Sequence, residues 1–214
     1  FYFDLIGLPP TPEQLAAFRK RAIVNRKSAI KNEINSLLAS PHYGERWARH
    51  WLDLARYTDK TASWLNSTAA AWRYRDWVVG ALNRDLPYNQ FVKQQLANDL
   101  IDGGNPKDNA ALGFLGLSPT YWKELQLPPE IIKTTVADEW EERMDAVGRT
   151  FLGLTLACAR CHDHKFEPVT QADYYAIAGV FASVRIADRP TMKEELWAPI
   201  AKARAKVAKL EKQL

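Results

Sequence analysis

The residues in this chain best suited to chemistry lie close together: Cys158, Cys161 and His162, in the run Leu154-Thr-Leu-Ala-Cys-Ala-Arg-Cys-His-Asp-His-Lys-Phe-Glu-Pro168. Two thiols at C-x-x-C spacing can add to the two vinyl groups of one haem, and the following imidazole then reaches the iron from the same edge. On that reading Cys158 and Cys161 form the thioethers of a haem c and His162 is the proximal iron ligand. The chain has only these 2 Cys, so no thiol is left for a disulfide framework or an unrelated dithiol. Zinc is the alternative cofactor, because His164 would complete a Cys158, Cys161, His162, His164 set. Tetrahedral sites, however, usually draw their second ligand pair from a separate segment, from which His50 is the distant ligand the sequence offers.

A haem iron also takes a sixth ligand or keeps an open position. His42, His50, His164, Met144 and Met192 are the only other His and Met residues. His50 is the distal candidate. It lies on an aromatic helix beside Trp47 and Trp51, from which its ring is expected to point inward to an apolar cavity. Met144, within Glu-Glu-Arg-Met-Asp, is expected at the surface, and Met192 near the tail. His164 is expected to support His162 or to join Asp163 and Lys165 in an exposed polar turn. The acidic group Asp138, Glu139, Glu141 and Glu142 reads as solvated helix surface, with a calcium site as the alternative.

The elements that must position these groups all read as helical. Thr11, Pro12 and Gln14 have the form of a capping box with Pro at the first helical position. A second helix is expected over Lys27–Ser40, with Ile30, Ile34, Leu37 and Leu38 on one side. After the break at Ser40-Pro-His-Tyr-Gly44, Trp47, Trp51 and Leu54 form one stripe of a buried amphipathic helix. The stretch Ala69–Leu100 splits into two helices at Leu86-Pro87. An irregular connection packed by its aromatics follows, from about Ala111 to Pro129. A long helical pattern then leads toward Cys161, bent near Gly148 or Gly153. Thr170 and Asp173 cap the next helix. Leu196, Ile200, Val207, Leu210 and Leu214 fall roughly at heptad spacing in a charged tail. The expected fold is all-α: an irregular multi-helix domain with an aromatic-rich core over residues 1–185, and a helical tail or linker over 186–214.

Composition narrows the function classes. The chain has 214 residues, 47% hydrophobic and 25% charged, which suits a globular protein with a substantial core. Its 8 Trp, 8 Tyr and 8 Phe are bulky core material or walls for a flat cofactor. A net charge of +4 is spread along the chain and forms no nucleic-acid stripe. No apolar run approaches the roughly 18 residues of a membrane span. There is no Gly-rich phosphate loop, nucleophile elbow or H-E-x-x-H helix.

Four stretches carry a family resemblance: Phe3–Leu15, Ser40–Asp59, Trp72–Leu100 and Val147–Phe181. Together they resemble a domain of unknown function abundant in planctomycetes and associated there with cytochrome c modules. The resemblance implies a segment of a larger exported bacterial protein, in agreement with a chain that begins without Met or signal peptide. It also implies a periplasmic or extracellular location, with a redox partner protein, a neighbouring cytochrome module or other segments of a longer chain as partners. The family pattern H-D-H-K-F-D-P carries Glu167 here in place of Asp, and the stretch after the aromatic helix lacks the usual acidic residues. Cys158, Cys161 and His162 are intact. Electron transfer through one covalently attached haem is the first functional reading. A haem enzyme with an open distal site and a zinc-stabilised interaction module are the alternatives.

Overall fold

The computed structural model describes residues 1–59, 70–117, 128–184, 187 and 189–211. The described residues contain helices and no strand, as the periodicity predicts, and the chain divides into two compact units, 1–91 and 92–214. Residues 118–127 of the irregular connection, most of the stretch that departs from the family's acidic pattern, and Leu214 lie outside the described residues.

In the first unit, α1 (Tyr2–Leu5) precedes α2 (Pro12–Leu38), whose start is the predicted capping box between Thr11 and Gln14. The two helices expected in this stretch join across a kink at Asn25, where φ is −152° and ψ 98°. Asn25 restarts the helix, its Oδ1 accepting the Ser28 N–H at 3.0 Å. The buried Glu33 is satisfied by the Tyr2 hydroxyl at 2.6 Å and by the Arg21 guanidinium.

Helix α3 (Pro41–Leu54) packs against α4 (Trp72–Asn83) by a face the aromatic stripe does not indicate. Its buried residues are Gly44 and Ala48, whereas Trp47 and Leu54 are exposed. A Cβ on Gly44 would lie 2.5 Å from the Val79 carbonyl oxygen, so the close approach requires glycine. Asn83 then bridges back to α3, accepting from the Gly44 N–H at 2.8 Å and donating to the Pro41 carbonyl at 3.0 Å. Of the predicted stripe, Trp51 does face the core. It meets Phe91 edge-on at 4.7 Å, Phe91 stacks on Trp77 at 5.2 Å, and the Trp51 indole N–H donates to the Tyr74 hydroxyl at 3.2 Å.

Helix α5 (Tyr88–Ala97) leads into the second unit, followed by α6 (Gly113–Gly116) and α7 (Pro129–Val147). The long helix ends well before the cysteines. It widens into a π-turn at Gly148–Leu152, and Gly153, at φ +67°, reverses the chain. A short 3₁₀ segment, Leu156–Arg160, carries the first cysteine. Helix α8 (Gln171–Ser183) starts at the predicted Thr170–Asp173 capping box. The core of this unit gathers Met144, Leu156, Ala159, Val169, Tyr174 and Phe181. Helix α9 (Glu194–Glu211) contains no buried residue.

Candidate haem-attachment site

The turn carrying Cys158 and Cys161 is pinned from beneath by the residue between them. Leu156 and Ala159 sink into the core at 1% and 0% exposure, while both cysteines are free and exposed. A 3₁₀ segment repeats about every three residues, so Cys158 and Cys161 fall on one side of it. Ala159 joins the core cluster that also holds Met144 and Tyr174.

Arg160 fastens the turn laterally. Its guanidinium donates to Glu141 Oε2 on α7 at 2.6 Å, with Asp138 3.8 Å away. Its carbonyl accepts from the Gln171 side-chain amide at 3.1 Å and the Tyr175 hydroxyl at 3.2 Å, both on α8. Glu141, foremost, raises the Arg160 pKa further above its already high ordinary value. The Tyr174 hydroxyl also donates to Glu141 at 3.1 Å, and burial, reinforced by that carboxylate, pushes its pKa up to about 12. Asp163 closes the far end by accepting the Gln171 N–H at 2.8 Å.

His162 is exposed, and its Nδ1 lies 2.7 Å from the Asp163 carbonyl oxygen. A carbonyl only accepts, so in the neutral ring Nδ1 carries the proton and Nε2 keeps its lone pair. That is the tautomer a metal ligand needs, with the other ring nitrogen held by a backbone carbonyl.

Of the two roles expected of His164, support for His162 or a place in an exposed polar turn, the exposed turn is not what forms. Its side chain is 7% exposed, and Nδ1 accepts the N–H groups of Phe166 at 3.1 Å and Glu167 at 2.8 Å. Nε2 therefore bears the proton and donates to Thr155 Oγ1 at 3.1 Å, which in turn donates to Glu167 Oε1 at 2.9 Å. The Thr155 N–H donates to Glu167 Oε2 at 2.8 Å, and this bond foremost holds the Glu167 carboxyl below its ordinary range. With both nitrogens engaged, His164 belongs to the scaffold of the loop rather than to a ligand set. Sequence spacing alone does not reveal this network, because its bonds run between Thr155, His164, Phe166 and Glu167 inside an irregular loop that carries no periodic signal.

Three further expectations change. Met144 is not at the surface: it is 1% exposed, at the centre of the core beneath the motif. His50 does not turn into a cavity; it is exposed, with its ring 5.6 Å from that of the exposed Trp47, and it belongs to the first unit. The acidic run on α7 is not uniformly solvated, because Glu139 and Arg143 are buried and lie 3.8 Å apart. Among the described residues no three His, Cys, Asp or Glu side chains come together as a cation site.

The residues present fit a covalently held haem: two accessible thiols on one side of a braced turn, then an imidazole with Nε2 open. Fold and site together define an all-α domain that presents an exposed C-x-x-C-H turn on a packed helical base. Residues 1–186 match PSCyt2, described as a protein of unknown function (DUF1549), and the chain belongs to that family. No curated protein matches it, and no solved structure does. No helix among the described residues is long and apolar enough to cross a membrane.

Proposed function

We propose that the second unit is a c-type haem module for electron transfer in an exported protein. The observation that carries this reading is the pair of exposed thiols flanking the buried Ala159, followed by a His162 whose Nδ1 is committed to a carbonyl. Cys158 and Cys161 would each add S–H across one vinyl group, and His162 would ligate the iron through Nε2. Bound there, the haem would supply a one-electron iron couple. The chain's own part is to hold the turn rigid through Arg160, Glu141 and Asp163 and to fix the His162 tautomer. Covalent attachment would place maturation in the periplasm or outside the cell, with a redox protein or a neighbouring cytochrome module as electron partner. His50 enters only as the distal candidate named from sequence.

Zinc fits less well. The four-ligand set needs His164, whose nitrogens are both spent inside the loop. The deciding experiment is a visible spectrum of the oxidised and dithionite-reduced chain, expressed in a host that matures c-type cytochromes, followed by a haem stain after denaturing electrophoresis. A sharp reduced α band and stain retained by the denatured chain are expected, both lost in Cys158→Ser/Cys161→Ser. A colourless chain from that host overturns the proposal.

A further inference from the structure

Helix α9 is 18 residues long and buries none of them, yet its apolar side chains follow a rule. Leu196, Ile200, Ala203, Val207 and Leu210 are spaced four, three, four and three apart. That is the a/d repeat of a coiled-coil seam, with Ile200 and Val207 at a and Leu196, Ala203 and Leu210 at d. Leu196 is 64% exposed, Val207 53% and Leu210 53%. At about 100° per residue these positions cover about 80° of the helix circumference, a narrow seam rather than the broad apolar face of a helix lying in a lipid interface.

The charges beside the seam select among occupants. Between Lys202 and Glu211 the helix carries Lys202, Arg204, Lys206 and Lys209 against the single acid Glu211. Arg204 and Glu211 fall at e, and Pro199 and Lys206 at g, the positions that pair across a coiled coil and set partner choice, so the flanking charge is basic at Arg204 and Lys206 and reverses only at the last residue. Arg204 lies along its own helix, with its guanidinium carbon 5.4 Å from the centre of the Trp197 ring, which leaves the seam uncovered. A second copy in parallel register would bring Arg204 and Lys206 against their own counterparts, with Glu194 and Glu195 at the far end of the helix, and like charges across such an interface are unfavourable. A helix with Glu or Asp at e and g meets Arg204 and Lys206 with opposite charge while its a and d residues cover Val207 and Leu210.

We propose that α9 is the docking surface for an acidic amphipathic helix of a partner protein, joined as a two-stranded coiled coil. The proposal is independent of the haem reading, since it uses neither the cysteines nor their turn.

The test uses the whole chain and two synthetic helices of about four heptads, identical at a and d and carrying Glu or Lys at every e and g. Titration calorimetry is expected to give one-to-one binding of the Glu helix and none of the Lys helix, weakened about tenfold or more on going from low to high salt. Val207→Ser/Leu210→Ser should weaken binding about tenfold or more. Arg204→Glu/Lys206→Glu should exchange the preference, so that the Lys helix binds. Because all four side chains are exposed, circular dichroism of both variants should match the parent. Equal binding of the two helices, or binding of neither, overturns the proposal. So does a free chain whose dimer is abolished by Val207→Ser/Leu210→Ser, which would make a second copy the occupant. Sedimentation with phosphatidylserine vesicles in preference to the Glu helix overturns it as well.

Discussion

Thr155 and Glu167 are tied together twice, the threonine main-chain N–H meeting one carboxylate oxygen at 2.8 Å and its hydroxyl the other at 2.9 Å. The loop between them carries both cysteines and both histidines of the motif. Its two ends are thereby clamped at Glu167, one of the positions where this chain departs from the family pattern it resembles.

His164 completes the clamp from inside, so replacing it should open the loop. His164→Ala leaves the Phe166 and Glu167 amides and the Thr155 hydroxyl short of a partner, at a cost of about 2 kcal/mol or more. His164→Asn keeps an acceptor near the Nδ1 position and should recover part of that loss. Urea unfolding of the three chains gives the order directly; equal midpoints for parent and His164→Ala would show that the network contributes nothing.

Acid should weaken the same clamp. The Thr155 main-chain N–H, foremost, depresses the Glu167 pKa, and the Thr170 hydroxyl, foremost, depresses that of Asp173. A carboxylate depressed in the folded state adds stability above its unfolded pKa and loses it as pH falls through the folded value. Urea midpoints should therefore fall as the pH is taken below about 4.5 and go on falling beneath the ordinary carboxylate range, and Glu167→Gln should make that drop smaller.

Gly44→Ala tests the first unit. The new methyl would lie 2.5 Å from the Val79 carbonyl and 2.6 Å from Asn83 Oδ1, so the helices must separate. Overpacking of this kind costs about 1–3 kcal/mol. The thermal midpoint should fall and the near-ultraviolet dichroism of the Trp51–Phe91–Trp77 cluster should weaken. Ser40→Ala, by contrast, removes only a long 3.4 Å cap bond and should cost less.

Met144 sits under the proposed haem turn as packing. Met144→Leu keeps the volume and should cost less than about 1.5 kcal/mol, and the reduced visible spectrum of the haem-loaded chain should not change. A shift in that spectrum would give Met144 a place on the iron.

Local signals were legible in the sequence. The Thr11–Gln14 and Thr170–Asp173 boxes were expected and are present, because a cap involves residues three apart. The split at Leu86-Pro87 was legible because proline breaks a helix locally, whereas the bend expected near Gly148 or Gly153 in a helix running toward Cys161 is an end: α7 stops at Val147 and a π-turn follows. What failed depended on distant chain. Trp47 and Leu54 matched an apolar stripe, but Gly44 and Ala48 won the buried face because only small residues permit the approach to Val79. Met144 is surrounded by charges in sequence, yet its face of α7 turns to Leu156 and Ala159. Glu139 was read as solvated because its buried pairing with Arg143 shows no pattern in sequence. The bonds through His164 join Thr155 to Glu167 within an irregular loop, where no periodicity signals them.

The carboxamide of Asn83 has a consequence for how the first unit assembles. It satisfies main-chain groups in the opening turn of α3 from 39 and 42 residues further along the chain. Bringing such groups together requires closing a long loop, so this contact carries a high entropic threshold and high contact order. Ser40 and Pro41 start α3 locally, but two of the polar groups in its opening turn find these partners only when α4 docks, which couples the helix start to tertiary assembly. As the chain emerges during synthesis, the Gly44 N–H and the Pro41 carbonyl go without the Asn83 carboxamide until residue 83 has been made.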